Sequence, residues 1–136
     1  MWEHPDAEAL RRVDGQLMLG PFLMVAPILA PGATSREVRL PAGRWYELDS
    51  GAIVEGPATI TVGATLAAVP LFAREGAILP RGGYAAHTDA IDPSELRLDV
   101  YPGPTPTALT LYEDAGDGDG PSARTPITLA RTASGA

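Results

Sequence analysis

Arg36-Glu37-Val38-Arg39-Leu40-Pro41-Ala42-Gly43-Arg44-Trp45-Tyr46-Glu47-Leu48 carries two strand patterns separated by turn residues. Val38 and Leu40 fall on one side of an extended chain and Glu37 and Arg39 on the other, the period of two that a half-buried strand needs. Pro41-Ala42-Gly43 breaks that alternation, and its composition predicts a turn into a second strand over 44–48. Asp49-Ser50-Gly51 turns the chain back into a strand over 52–55, and Ala58, Ile60 and Val62 then alternate with Thr59 and Thr61. Upstream, 17–19 and 22–29 are apolar runs of strand length, separated by Gly20-Pro21 and closed by Pro31-Gly32. Pro27 cannot donate to a ladder, so the second run is expected at a sheet edge or broken there. Downstream come an apolar run over 66–74 crossed by Pro70, a short run over 77–79, alternating patterns over 96–100 and 109–112, and a last strand near 125–130. Roughly ten strands at intervals of about 8–12 residues predict an all-β fold, an antiparallel β-sandwich or barrel. The exception is 5–13, where Asp6 and Glu8 open and Arg11 and Arg12 close a segment stopped by Gly15. These end charges suit a helix dipole and predict one short N-terminal helix of about two turns.

The 136 residues suit one domain or two small ones, and an enzyme barrel of about 250 residues does not fit. Ten arginines without a lysine, against 17 acids, leave a net charge of −7, which repels phosphate backbones and argues against nucleic acid as a partner. No cysteine is present, which excludes disulfides, thiolate chemistry and cysteine-ligated zinc. The longest apolar stretch, 21–31, falls short of the ~20 residues that span a bilayer. Glu3, Asp6 and Glu8 stand where a signal peptide would have a basic flank and apolar run, so no membrane partner is expected and a cytoplasmic location is favoured. The 15 glycines and 14 prolines lack a three-residue period, and 45% of residues are hydrophobic, which fits turn-rich globular structure.

Chemistry-bearing candidates are few, and each has a plainer structural use. His4 and His87 are the two histidines, both in polar surroundings, and no Gly-x-Ser-x-Gly elbow or phosphate-binding glycine loop occurs. Glu113-Asp114-Ala115-Gly116-Asp117-Gly118-Asp119-Gly120 could wrap a hard cation such as Ca²⁺ through Asp114, Asp117 and Asp119, but its spacing fails the EF-hand frame. The same composition suits a hairpin turn. Trp45 and Tyr46, with Tyr84, could stack a sugar ring, although an aromatic pair on a strand commonly sends one ring into the core. Carboxylate pairs for glycoside cleavage need fixed separations that spacing alone does not supply.

The order of motifs carries more than any one of them. Asp14-Gly15-Gln16-Leu17-Met18-Leu19-Gly20-Pro21-Phe22-Leu23-Met24-Val25-Ala26-Pro27-Ile28-Leu29 resembles the "DDQFMLGPDLLVAPVL" stretch of glycoside hydrolase family 31, the α-glucosidase and α-xylosidase family. Pro31-Gly32-Ala33-Thr34-Ser35-Arg36 and Leu40-Pro41-Ala42-Gly43-Arg44-Trp45-Tyr46 follow in the same order. Val69-Pro70-Leu71-Phe72-Ala73-Arg74-Glu75-Gly76-Ala77-Ile78-Leu79-Pro80 is similar to "IPVFVRAGAIIP", and after Val100-Tyr101-Pro102-Gly103 the stretch Leu111-Tyr112-Glu113-Asp114-Ala115-Gly116-Asp117 is similar to "LYEDDGDTY".

The resemblance implies a position downstream of a (β/α)₈ barrel. Residues 1–14 would be the barrel's tail, 15–82 a proximal β-sandwich, 83–94 a linker and 95–136 the start of a distal β-domain. It implies a parent that cleaves α-glucosidic or α-xylosidic bonds with retention and without a cofactor. The family's catalytic aspartates lie in barrel motifs such as "WxDMNE", which nothing here matches, so no catalytic residue carries over. The chain is then expected to be an inactive accessory region whose partner is the catalytic barrel. A carbohydrate-binding module touching α-glycan through Trp45, Tyr46 or Tyr84 is the alternative, and a Ca²⁺-stabilised structural domain a further one. An apolar face built from Leu17, Leu19 and Phe22 is expected to drive self-association.

Overall fold

The computed structural model describes residues 4, 6, 8–63, 65, 68–87, 90–92, 95–116 and 119–131. Nine strands follow one another among them: β1 (Leu17–Leu19), β2 (Leu23–Val25), β3 (Ser35–Glu47), β4 (Ile53–Gly63), β5 (Leu71–Arg74), β6 (Ile78–Arg81), β7 (Arg97–Val100), β8 (Thr107–Asp114) and β9 (Ser122–Leu129). Every pairing is antiparallel, so the fold is all-β, as the alternation predicts. The chain divides into two units, Met1–Glu75 and Gly76–Ala136.

In the first unit the strands form one sheet in the order β1-β2-β5-β3-β4. The predicted turn at Pro41-Ala42-Gly43 is instead a β-bulge within the single strand β3. Leu40 pairs with Ala58 and Gly43 with Gly56, so β3 advances three residues while β4 advances two. The extra residue switches the parity of β3, and it brings Val38, Leu40 and Trp45 to the same inner face although their numbers alternate wrongly for one strand. Pro41, which lacks an N–H, sits in the bulge where no ladder bond is demanded. Gly56-Pro57 likewise lies within β4 and does not separate two strands. The β2 strand stops before Pro27, the break that the proline allows, and is internal to the sheet.

The inner face holds the core: Met24, Ala26, Val38, Leu40, Trp45, Val62 and Phe72, with Met18, Val54 and Ile60 packed against it. Gln16 is the buried polar residue in this unit, 3% exposed, and its carboxamide imitates a strand. Its Oε1 accepts from the Arg39 N–H at 2.9 Å while its Nε2 donates to the Arg39 carbonyl at 2.7 Å. Those two bonds satisfy the side of β3 that faces away from β4, and buried backbone groups need such partners. The Arg36 guanidinium does similar work by donating to the carbonyls of Gly15 and Pro27.

At the N-terminus the described residues hold a single 3-10 turn, Glu8–Leu10, and not the predicted two-turn helix. Its bonds run three residues back, Arg11 N–H to the Glu8 carbonyl at 3.2 Å and Val13 N–H to the Leu10 carbonyl at 3.3 Å. So short a segment gains too few helical bonds to offset nucleation, and favourable end charges do not change that balance.

In the second unit β6 pairs with β7 and β8 with β9, each as a two-stranded ribbon. Arg81 lies opposite Arg97, so 82–96 is the long connection of the β6–β7 hairpin. Gly76, at φ +81°, begins the unit: its N–H donates to the Tyr101 carbonyl at 2.6 Å, and its carbonyl accepts from the Thr107 hydroxyl at 2.6 Å. Tyr112 and Arg124 are register partners, with the guanidinium 5.0 Å from the ring centre. The small-residue tail, 132–136, lies outside the described residues.

Candidate functional site

Strand alternation sends Trp45 and Tyr46 to opposite faces of the first sheet. Trp45 is fully buried, and its indole N–H donates to the Pro41 carbonyl at 3.0 Å. No face of that ring is open for a sugar to stack on, so Trp45 is a core residue and not a carbohydrate contact. Tyr46 is half-buried on the outer face beside Arg44 and Glu55. Arg44 Nε donates to Glu55 Oε1 at 2.6 Å, and that hydrogen bond chiefly holds the guanidinium above its ordinary pKa, with smaller contributions from the Glu55 charge and Tyr46. Tyr84 is wholly exposed and stands in the second unit, so the aromatic candidates do not share one surface of one unit.

The acidic glycine-rich stretch is the tip of the β8–β9 hairpin, with Asp114 opposite Ser122. Asp114 Oδ1 accepts from the Gly116 N–H at 3.0 Å, and Gly116 adopts φ +91°, which is how a short polar side chain and a glycine build a turn. Asp119 is exposed, and Asp117 lies outside the described residues. Among the described residues no cluster of three His, Asp or Glu side chains could hold a metal ion. His87 is exposed and His4 half-buried. A groove of about 920 Å³ in the first unit is lined by residues such as Ile28, Leu29, Thr65 and Val69. Asp49 is its single acidic side chain, so the groove does not hold the pair of carboxylates that glycoside cleavage requires.

The feature with the most to offer a partner is apolar. Register places Leu19, Leu23, Ala73, Tyr46 and Ile53 in one row across the outer face of the sheet, and Leu17, Val25 and Leu71 in a second. Leu17, Leu19 and Ile53 are 52%, 63% and 58% exposed, and Ala73, at the middle of its row, is buried. The expectation for Leu17 and Leu19 agrees with this face. Phe22 differs: it precedes β2 in phase with the inward Met24 and is half-buried. The remaining members escape a sequence reading because lateral rows come from pairing between distant strands. Among the described residues no helix is long and apolar enough to cross a membrane.

Residues 1–79 match the model of the glycosyl hydrolase family 31 C-terminal domain. The chain is 37% identical over 109 residues to an alpha-xylosidase of Saccharolobus solfataricus, covering 76% of the chain and 14% of that protein. A 1,6-alpha-glucosyltransferase of Sporosarcina globispora is 29% identical over 119 residues, 85% of the chain and 9% of that protein. Among solved structures, the GH31 alpha-xylosidase of Xanthomonas citri superposes with a TM-score of 0.77 at 37% identity, over 85% of the chain and 13% of the enzyme. The GH31 dextranase of Flavobacterium johnsoniae complexed with glucose superposes with a TM-score of 0.81 at 28% identity, over 93% of the chain and 16% of that enzyme. The chain therefore spans a small part of each relative's length. With more than half of it under the family's own C-terminal model, the chain belongs to glycoside hydrolase family 31 and represents that enzyme family's accessory C-terminal β region.

Proposed function

We propose that the chain braces the catalytic barrel of a retaining α-glycosidase, acting on α-linked glucosides or xylosides, and takes no part in bond cleavage. The observation that carries this reading is the outer face of the first sheet, where Leu17, Leu19, Leu23, Val25, Leu71, Ala73, Tyr46 and Ile53 form two contiguous rows, with Leu17, Leu19 and Ile53 exposed. A sheet buries one face in its own unit; a second apolar face asks for a cover. The catalytic region supplies that cover in the whole enzyme. In the isolated chain a second copy substitutes for it, so the protein self-associates.

Leu17→Asp/Leu19→Asp puts two carboxylates in this face at exposed positions and is expected to lower the mean mass by light scattering while leaving circular dichroism unchanged. Ile53→Asp, at the far end of the same row, is expected to do likewise. A mass unaltered in both variants contradicts the docking role of the face. Glycan binding would have to work through Tyr46 and Tyr84, since Trp45 has no open ring face.

A further inference from the structure

The two edges of the first sheet are not alike. One is β1, three residues long; the other is the 11-residue β4, which among the described residues pairs with β3 on one side only. The direction of its free backbone groups follows from Gln16. Because the Gln16 carboxamide engages both the N–H and the carbonyl of Arg39, those groups point away from β4. Arg39 is opposite Thr59, so theirs is the pair that exchanges no ladder bonds, and the N–H and carbonyl of Thr59 point outward too. Thr61 shares that orientation by the period of two. The same parity reaches Pro57, which has no N–H to leave unpaired at an edge.

Edge strands left open are usually blunted by charge, proline or brevity. On β4, Glu55 and Pro57 protect the first half, and Glu55 is already neutralised by Arg44 at 2.6 Å. The second half, Ala58-Thr59-Ile60-Thr61-Val62-Gly63, has no such device, and no charged residue occurs from Gly56 to Ala73 although a fifth of the chain is charged. Four consecutive β-branched residues, Thr59 to Val62, give this half strong strand character. Thr59 and Thr61 are exposed, while Ala58, Ile60 and Val62 face inward.

We propose that β4 is an interaction edge whose occupant is β4 of a second copy, paired antiparallel about a two-fold axis at Ile60. Thr59 of each copy then lies opposite Thr61 of the other, and both outward N–H and carbonyl groups of each threonine are satisfied. The segment is self-complementary: threonine meets threonine, Ala58 meets Val62, and Pro57 meets Gly63. A parallel pairing would set Glu55 against Glu55, which selects the antiparallel arrangement. Neutrality lets two copies of a chain carrying −7 approach here.

Amide hydrogen exchange on the full chain, measured across about a hundredfold dilution series, tests the pairing. In the Leu17→Asp/Leu19→Asp background, which disables the apolar face, the Thr59 and Thr61 amides are expected to exchange about tenfold more slowly at the concentrated end, with light scattering reporting a dimer. Adding Thr59→Lys/Thr61→Lys sets lysine against lysine across the axis; the concentration dependence should vanish and the mass fall to a monomer, with the melting curve unchanged. Thr59 and Thr61 amides that exchange at the same rate throughout, or a Leu17→Asp/Leu19→Asp chain already monomeric at every concentration, overturn the edge pairing and leave the outer-face reading intact. If instead Thr59→Lys/Thr61→Lys alone dissociates the protein and Leu17→Asp/Leu19→Asp does not, the edge is upheld and the outer-face reading fails.

Discussion

Gly56→Ala is expected to disrupt the first unit, and Gly63→Ala, seven residues along the same strand, to leave it nearly unchanged. A Cβ on Gly56 would lie 1.8 Å from the Pro41 carbonyl oxygen and 2.9 Å from its carbon. Both are backbone atoms at the β3 bulge, so no rotamer can move out of the way. The strands must separate where the bulge realigns Val38 and Leu40 with Trp45, at a cost of about 3 kcal/mol or more. With a stability of about 5–15 kcal/mol for a domain and about 4–8 °C per kcal/mol at this size, the melting temperature should fall by at least about 12 °C, or the cooperative transition be lost. A Cβ on Gly63 meets nothing within 4 Å. Thermal melts of the two variants side by side check the claim, and equal melting temperatures contradict the close packing of the bulge.

Trp45→Ala is the second large effect. Removing a fully buried indole from among Met24, Val38, Leu40 and Phe72 costs about 3–5 kcal/mol through lost transfer energy and the cavity left behind. Trp45→Phe separates two contributions. It keeps most of the apolar volume but leaves the Pro41 carbonyl without its indole donor, a loss of about 1–3 kcal/mol. Denaturant melts should therefore rank the wild type above Trp45→Phe and Trp45→Phe above Trp45→Ala. A Trp45→Ala protein as stable as the wild type would mean that the ring does not occupy the core.

Much of this structure is legible from the chain alone, and what is not has local causes. The apolar run over 17–19 matches β1 at its observed bounds, alternation placed β7 and β8 within a few residues of theirs, and the strand expected near 125–130 overlaps β9. It failed at Pro41-Ala42-Gly43 because a one-residue slip in parity and a turn look alike in sequence: both interrupt the period and both favour glycine and proline. Only the partner strand separates them, since β4 keeps its own period unbroken opposite the bulge. Gly56-Pro57 misleads for the same reason, being the counterpart of that bulge. The place of β5 between β2 and β3 is invisible locally, because it joins segments far apart in the chain. The aromatic candidates divide along the same line. Adjacent positions guarantee that Trp45 and Tyr46 face opposite ways, but only the bulge determines which of them faces the core. Residues 5–13 show the converse error, in which well-placed charges describe a helix too short to sustain itself.

The central claim is that these residues support a glycosidase without performing its chemistry. The most direct measurement is hydrolysis of 4-nitrophenyl α-glucoside and 4-nitrophenyl α-xyloside by the purified 136-residue chain. Release of nitrophenolate is expected to stay at the rate of the buffer blank. Turnover in the range of about 1 s⁻¹ or above, ordinary for an enzyme, would contradict the account by placing a catalytic carboxylate pair within these residues.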